Sequence, residues 1–271
     1  MCRVWLVALL LAPAVVACGG GRAAPRTLAQ QPTPVTCDAT KRRPLLVVVV
    51  PGGQGDARDR LGLRRAARRA GIATIYPETE DGFWTLNNKQ GRGDIEAFNS
   101  LLDGTLQRGC YDEHRLAITG VSNGAGFAVR VGCEQAERFA AVVAVSAGLR
   151  ALDPCPPQAR ASFLAIHGSA DPVTPFRGRP PGGAGSVPRF AAAWARRAGC
   201  AAAPRTTRTG AGVARTAYRG CAGGRRVETV LLSGTDHGWP GAGPPRPRHN
   251  PSGYDATRAT IAFLRGTPPL P

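Results

Sequence analysis

Lysine is nearly missing from this strongly basic chain. Its 271 residues include 35 basic and 18 acidic ones, for a net charge of +17, yet Lys41 and Lys89 are the only lysines. The arginines are scattered, and no aromatic residues are interleaved with them to stack on bases. A GC-rich genome, which favours arginine codons, explains this composition, so we expect no nucleic-acid partner. Loose attraction to anionic envelope polymers fits the charge better.

The N-terminal apolar run is too short to cross a bilayer. Residues 4–16 follow Arg3 and end in small residues before Cys18, a pattern similar to the bacterial lipoprotein signal, in which the cysteine is acylated. We therefore predict a signal peptide over residues 1–17, lipidation at Cys18 and a flexible tether over residues 18–36. The alternative is an ordinary cleaved secretion signal with Cys18 incidental. Both interpretations predict that the protein is exported, and that it is then either lipid-anchored at the cell membrane or secreted.

Cys-x-x-Cys spacing is also absent, which argues against a zinc site. Of the eight cysteines, Cys2 falls in the signal and Cys18 at the anchor, which leaves six. An even number in an oxidising compartment predicts three disulfides, although six cysteines allow fifteen pairings, and free buried thiols are the alternative. The six are Cys37, Cys110, Cys133, Cys155, Cys200 and Cys221.

Short apolar segments alternate with helix-like segments along the rest of the chain, and no internal repeat is present. This pattern is typical of an α/β fold with a doubly wound, mostly parallel sheet, which we expect to form a single domain over residues 37–266. The predicted strands are 45–50, 72–77, 115–120, 140–147, 162–168 and 227–234. The predicted helices are 57–70, 93–108, 123–135, 187–198 and 254–264.

A Gly-x-Ser-x-Gly motif directly follows one of these strands. In the stretch RLAITGVSNGAG, Ser122 lies between a buried strand and the small-residue start of a helix. The two glycines let strand and helix pass closely around a strained serine whose hydroxyl is then exposed. The helix N-terminus also favours negative charge that develops beside the serine. This setting predicts that Ser122 is a nucleophile.

A nucleophilic serine needs a histidine base and an acid that orients the histidine. In this type of fold the chain order is serine, acid, histidine. Asp171 and His237 follow Ser122 in that order, each just beyond a later strand, where the chemistry of parallel sheets gathers. We therefore predict the catalytic triad Ser122, Asp171 and His237.

The chain has only four histidines, which limits the choice of base. His114 precedes its strand and so lies at the wrong edge of the sheet, and His167 is expected to have a structural role. His249, in a Pro- and Arg-rich loop, is the second choice of base. Asp153 and Asp236 are the alternative acids.

Two backbone N–H groups are expected to hold the oxyanion. One belongs to Asn123, the residue after the nucleophile, and the other to a loop that follows an early central strand. The stretch VVVVPGGQGD supplies such a loop, in which Gly53 or Gln54 would provide the N–H. A simple tight glycine turn is the alternative.

From about Pro44 to Leu264 the chain resembles the secreted α/β-hydrolase esterases that include polyhydroxybutyrate depolymerases and feruloyl or acetylxylan esterases, some of them lipoproteins. The resemblance rests on RLAITGVSNGAG, FLAIHGSADPVTPF, AAAWARRAGC and DHGWPG. It implies the α/β-hydrolase fold and the same triad of serine, aspartate and histidine. It also implies that Cys200 pairs with Cys221.

The resemblance further implies that Trp84 and Trp239 line the substrate cleft. Their position in loops, where core packing explains a large ring less well, favours the same interpretation. The chain departs from the family at Pro51, where relatives usually have histidine before the oxyanion glycine. Asp236 likewise stands where relatives often have glycine. By position we further pair Cys133 with Cys155 and Cys37 with Cys110.

These features predict an exported, lipid-anchored serine esterase that forms an acyl-enzyme and needs no metal or organic cofactor. The expected substrates are short-chain, feruloyl, acetyl or hydroxyalkanoate-type esters, as small molecules or oligomers. Polymer-degrading relatives often carry an extra binding module, for which a chain ending at Pro271 has no room. We expect a monomer. The alternatives are a serine peptidase of the same fold and a non-catalytic envelope-binding lipoprotein.

Overall fold

The computed structural model describes residues 28–30, 40–51, 57–86, 92–149, 155, 161–179, 185–243 and 250–271. Several predicted features lie outside these residues: the signal peptide, Cys18, Cys37, Gly53, Gln54, Asp153 and His249. No helix within the described ranges is both long and apolar enough to span a membrane.

Ten strands are described, eight of which form the central sheet. They are β1 (Ala29–Gln30), β2 (Arg43–Val49), β3 (Ala73–Ile75), β4 (Pro77–Glu78), β5 (Tyr111–Val121), β6 (Ala141–Val145), β7 (Ser162–Gly168), β8 (Ala202–Thr209), β9 (Val213–Arg219) and β10 (Val227–Leu232). The sheet has the order β3-β2-β5-β6-β7-β10-β9-β8, and β1 pairs with β4 separately. The first six strands of that order run parallel to one another, and β9 runs antiparallel to both of its neighbours, β10 and β8.

Helices cover both faces of this sheet. They are α1 (Ala57–Arg60), α2 (Leu63–Arg69), α3 (Gly93–Leu106), α4 (Ser122–Glu134), α5 (Val187–Arg197) and α6 (Ala256–Arg265). Buried side chains of α3, α4 and α5 share one hydrophobic core, and those of α2 and α6 share a second core on the opposite face. The architecture is the predicted doubly wound α/β sheet.

The central strands show why a continuous apolar run forms a strand here. Along β2, Leu45, Val47 and Val49 belong to one core, whereas Leu46 and Val48 belong to the other. All five side chains are fully buried. Because successive strand residues point to opposite faces, a strand covered by helices on both sides needs an apolar residue at every position.

The predicted elements match the observed ones except at four places. The short strand β1, which pairs with β4, lies within the predicted tether and was not predicted. The predicted helix 57–70 is divided into α1 and α2, because Gly62 has a φ of 66°, which ends one helix before the next begins. The predicted strand 72–77 is divided into β3 and β4. The hairpin of β8 and β9 was not predicted, since every residue of β8 is exposed and its sequence, AAPRTTRT, has no apolar pattern.

Two predicted disulfides are formed in the structure. Cys133 near the end of α4 is bonded to Cys155, and Cys200 before β8 is bonded to Cys221 after β9. The second bond therefore closes the base of the hairpin. Cys110 is also disulfide-bonded, but its predicted partner, Cys37, lies outside the described residues.

Candidate active site

Ser122 lies on a sharp turn between β5 and α4. Its φ of 55° is in the left-handed region that non-glycine residues rarely adopt. A Cβ at Gly120 would lie 2.5 Å from the carbonyl oxygen of Val49, and one at Gly124 would overlap the same oxygen. The two motif glycines therefore let β2 pass directly against the turn that presents the serine.

The structure brings Ser122, His237 and Asp171 together. His237 Nε2 lies 2.8 Å from Ser122 Oγ, and His237 Nδ1 lies 2.8 Å from Asp171 Oδ2. The three residues follow β5, β10 and β7, whose carboxyl ends meet at one edge of the parallel sheet. When Nδ1–H donates a hydrogen bond to the carboxylate, Nε2 is unprotonated and can accept the serine proton. This is the arrangement that a serine nucleophile requires.

Asp171 has a fully buried side chain that accepts several hydrogen bonds. Its Oδ1 accepts from the backbone N–H groups of Val173 at 2.9 Å and Thr174 at 2.8 Å. Burial alone would raise the pKa of Asp171, but the hydrogen bonds from His167, His237 and the Thr174 backbone lower it well below the ordinary 3.8. The carboxylate therefore stays ionised and can stabilise a protonated His237.

His167 supports Asp171 from the end of β7. Its Nε2 lies 2.5 Å from the carbonyl oxygen of Thr174 and 3.2 Å from Asp171 Oδ2. Since a carbonyl oxygen can only accept, this nitrogen carries the proton. The imidazole is 1% exposed, and this placement agrees with the structural role expected of His167. His114, at the start of β5, instead contacts the carbonyl oxygen of Leu270.

Asn123 lies in the first turn of α4, where backbone N–H groups lack partners within the helix. Its side chain holds the loop that carries Trp84. Oδ1 accepts from the Trp84 backbone N–H at 2.8 Å, and Nδ2 donates to the Trp84 carbonyl oxygen at 3.0 Å. The predicted oxyanion donor thus also fixes a neighbouring loop. Gly53, the second predicted donor, lies outside the described residues.

Trp84 and Trp239, which were predicted to line the cleft, are both largely buried in this structure. Trp84 is 2% exposed, its ring lies 4.3 Å from that of Phe127, and its indole N–H donates to the carbonyl oxygen of Val50. Trp239 is 7% exposed and donates to the hydroxyl of Thr257 on α6. Each ring belongs to one of the two hydrophobic cores, where its indole N–H also finds an acceptor.

Thr174 and Ser146 are site residues that the sequence analysis missed. The hydroxyl of Thr174 lies 2.9 Å from Asp171 Oδ2, 3.1 Å from the Ser146 carbonyl oxygen and 3.3 Å from His237 Nδ1. The signal that could have indicated Thr174 is its position three residues after Asp171, within reach of a turn that the carboxylate caps. Ser146 has no comparable local signal, because its partners are far along the chain.

A metal centre is not evident in the part of the chain that the structure describes. No group of three or more His, Cys, Asp or Glu side chains there could hold a metal ion. The arrangement of Ser122, His237 and Asp171 instead suits covalent catalysis by a serine hydroxyl.

Two solved structures with a similar fold carry the names of esterases. The acetyl xylan esterase from Aspergillus awamori has a TM-score of 0.56 and 15% identity, with 85% of this chain and 91% of that chain covered. Esterase PE8 has a TM-score of 0.53 and 15% identity, with 90% and 99% covered. The fold is therefore that of the α/β-hydrolases.

The similarity to sequence relatives covers a smaller part of each chain. NocK of Nocardia uniformis subsp. tsuyamanensis, a protein named as an esterase, is 28% identical over 231 residues, which cover 73% of this chain and 66% of that protein. The "Probable feruloyl esterase C" of Aspergillus flavus is 30% identical over 122 residues, 43% of this chain and 42% of that protein. The chain thus spans less than two thirds of the relatives it matches. No family model matches it.

Proposed function

We propose that the protein is a serine esterase that hydrolyses carboxylic esters through Ser122, His237 and Asp171. The observation that carries the proposal is the continuous hydrogen-bonded chain from Ser122 Oγ through His237 to Asp171, with 2.8 Å at each step. The α/β-hydrolase fold and the relatives named as esterases support the same conclusion.

The first half of the reaction forms an acyl-enzyme. Ser122 Oγ attacks the ester carbonyl carbon while its proton passes to His237 Nε2. The oxyanion accepts a hydrogen bond from the Asn123 backbone N–H, and the second donor predicted at Gly53 would complete the site. When the bond to the alcohol oxygen breaks, His237 returns its proton to that oxygen, and the acyl group stays on Ser122.

The second half of the reaction releases the acid. A water molecule loses a proton to His237 Nε2 and attacks the acyl carbon, and the new tetrahedral intermediate collapses as His237 protonates Ser122 Oγ. Asp171 stays ionised throughout, orients the imidazole through Nδ1 and offsets its positive charge in both halves.

The acyl or alcohol part of the substrate is proposed to be partly apolar. Of the large hydrophobic side chains that the structure describes as exposed, Phe83 precedes Trp84 and Val173 follows Asp171 by two positions. Both therefore adjoin loops that hold the site, where they offer apolar surface. Feruloyl, acetyl and hydroxyalkanoate-type esters are the candidate classes, the first two because of the names that relatives carry.

Export and lipid anchoring at Cys18 are part of the proposal. The N-terminal sequence pattern supports both, and the disulfides Cys133–Cys155 and Cys200–Cys221 suit an oxidising compartment. Radioactive palmitate supplied to cells should label the wild-type protein and leave Cys18→Ala unlabelled. Equal labelling of the two would contradict the anchor.

Hydrolysis of p-nitrophenyl acetate and butyrate tests the activity. We expect Ser122→Ala to lose about 10³-fold or more in kcat, because covalent catalysis is abolished. Ser233→Ala, which changes an exposed serine in the turn after β10, serves as the matched control. Activity unchanged in Ser122→Ala would refute the mechanism. A panel of methyl ferulate, acetylated xylan and hydroxybutyrate oligomers then separates the substrate classes.

A further inference from the structure

Ser146 is a second strained serine beside the active site. It directly follows β6, the strand next to β5 and its nucleophile, and it is 1% exposed. Its φ is 48°, and Ser122 and Ser146 are the only non-glycine residues of the described chain with positive φ. Buried residues keep such a conformation only where the surrounding contacts impose it, and these residues cluster at functional sites.

The Ser146 side chain clamps the residue after His237. Its Oγ donates to the carbonyl oxygen of Gly238 at 2.8 Å and accepts from the Gly238 backbone N–H at 3.2 Å. Gly238 has a φ of 140°, a conformation that side chains rarely permit. A single hydroxyl thus pairs with both the N–H and the carbonyl oxygen of Gly238. Because glycine has no side chain, its backbone would otherwise be free to adopt many conformations.

Backbone hydrogen bonds anchor the loop that carries His237 on both sides of the histidine. Before the histidine, the Thr235 carbonyl oxygen accepts from the backbone N–H of Ala170 at 3.1 Å. After it, the Pro240 carbonyl oxygen accepts from Ala256 at 2.9 Å. The Ser146 hydroxyl lies between these two anchor points and holds the position directly after the imidazole.

Ser146 also connects this loop with the acid. Its carbonyl oxygen lies 3.1 Å from the Thr174 hydroxyl, which in turn lies 2.9 Å from Asp171 Oδ2. Its backbone N–H donates to Ile166 on β7 at 2.9 Å, which fixes the residue against the strand that precedes the acid. One residue therefore contacts the segments that carry both triad partners of the serine.

We propose that Ser146 is a positioning residue: its hydroxyl clamps Gly238 and so holds the His237 imidazole within reach of both Asp171 and Ser122. This inference rests on the proposed esterase function. The strained backbone of Ser146 serves to direct its hydroxyl across to Gly238. Because catalytic geometry is sensitive to displacements of about 1 Å, a clamp one residue from the base acts on the reaction rate.

Two variants separate the hydroxyl from the backbone strain. Ser146→Ala removes both hydrogen bonds and retains the Cβ at positive φ, whereas Ser146→Gly removes them and relieves the strain. Ser162→Ala is the matched control, since Ser162 is also a fully buried serine whose hydroxyl accepts a backbone hydrogen bond, from Arg226 at 3.1 Å, at the opposite end of β7. Ser122→Ala is included as the inactive reference.

The measurements are kcat and KM for p-nitrophenyl butyrate, together with the melting temperature of each purified variant. We expect kcat to fall about 10- to 100-fold in both Ser146 variants. KM should stay close to wild type, because the clamp does not contact the ester. Ser146→Gly should melt at or above the temperature of Ser146→Ala yet remain equally slow, and Ser162→Ala should retain the wild-type kcat.

Three results would overturn the inference. They are a wild-type kcat in Ser146→Ala, a kcat in Ser146→Gly that recovers with its melting temperature, and equal losses of kcat in Ser146→Ala and Ser162→Ala. The second and third would mean that Ser146 has only a structural role. If instead Ser122→Ala were as active as wild type, the proposed function itself would fail, so the two failures are distinguishable.

Discussion

The two ends of the central sheet differ in burial and in chemistry. In the parallel part, β2, β5, β6 and β7 are covered by helices on both faces, and Ser122 and Asp171 follow the carboxyl ends of β5 and β7. At the other end, β8 is exposed along its whole length and carries mainly threonine and arginine. The described triad residues are thus held by the close-packed part of the sheet, and we expect the hairpin to add little to their geometry.

The largest contrast between these two regions should come from adding one methyl group to a glycine. In Gly124→Ala the new Cβ would overlap the backbone of Val49, which cannot move without shifting β2. We expect a loss of about 4 kcal/mol in the free energy of unfolding, as for other severe overpacking. Urea unfolding measures this loss, and kcat should fall with the displaced Ser122.

Gly210→Ala is the matched variant in the hairpin. No atom lies within 4 Å of a Cβ at this position, so we expect a change within about 0.5 kcal/mol, as at ordinary surface sites. Equal destabilisation of the two variants would contradict the contrast between the close-packed turn and the open hairpin.

An intermediate effect should follow from opening the hairpin at its base. Cys200 and Cys221 are 21 residues apart in sequence and bonded to each other. Replacing both with serine should lower the free energy of unfolding by about 3 kcal/mol, because the unfolded chain regains the entropy of an open loop.

The same double variant should leave kcat unchanged at temperatures where the protein is folded, since none of the site residues that the structure describes lies in the hairpin. Enzyme assays at 25 °C, together with urea unfolding, test both statements. A large loss of kcat in the folded variant would mean that the hairpin shapes the active site after all.

The smallest effect concerns the pH dependence of stability. The pKa of Asp171 is lowered in the folded protein, so its stabilising contribution is fully present above the ordinary pKa of 3.8 and is lost as the pH falls through the lowered value. Below pH 3.8 the unfolded state binds the proton first, and stability should fall by up to about 1.4 kcal/mol per pH unit on this account.

Asp171→Asn provides the comparison for this slope. Urea midpoints measured from pH 5 down to pH 2.5 should show a shallower pH dependence in Asp171→Asn than in wild type. Identical slopes for wild type and Asp171→Asn would show that the buried hydrogen bonds do not hold the carboxylate ionised.

Much of the parallel sheet could be predicted because its signals are local. The run SFLAIHG predicts β7 at residues 162–168 as observed, since a strand buried on both faces needs continuous apolar residues. The chain order of Ser122, Asp171 and His237 predicted their proximity for a similar reason, because parallel strands bring their carboxyl ends to one edge.

The rest depends on contacts that no local pattern encodes. β8 contains Pro204 and no apolar alternation, and it is a strand because it pairs with β9 at the sheet edge. The rings of Trp84 and Trp239 enter the cores from loops, whereas the sequence predicted that both rings line the substrate cleft. Ser146 contacts Gly238, 92 residues later in the chain, so only the folded structure brings the two together.

Acid quenching during turnover of p-nitrophenyl butyrate, followed by peptide mass spectrometry, tests the central claim most directly. The proposed mechanism predicts one butyryl group on the peptide that contains Ser122, and no such adduct in Ser122→Ala. Turnover of the ester without acylation of Ser122, or an equal adduct in the variant, would contradict it.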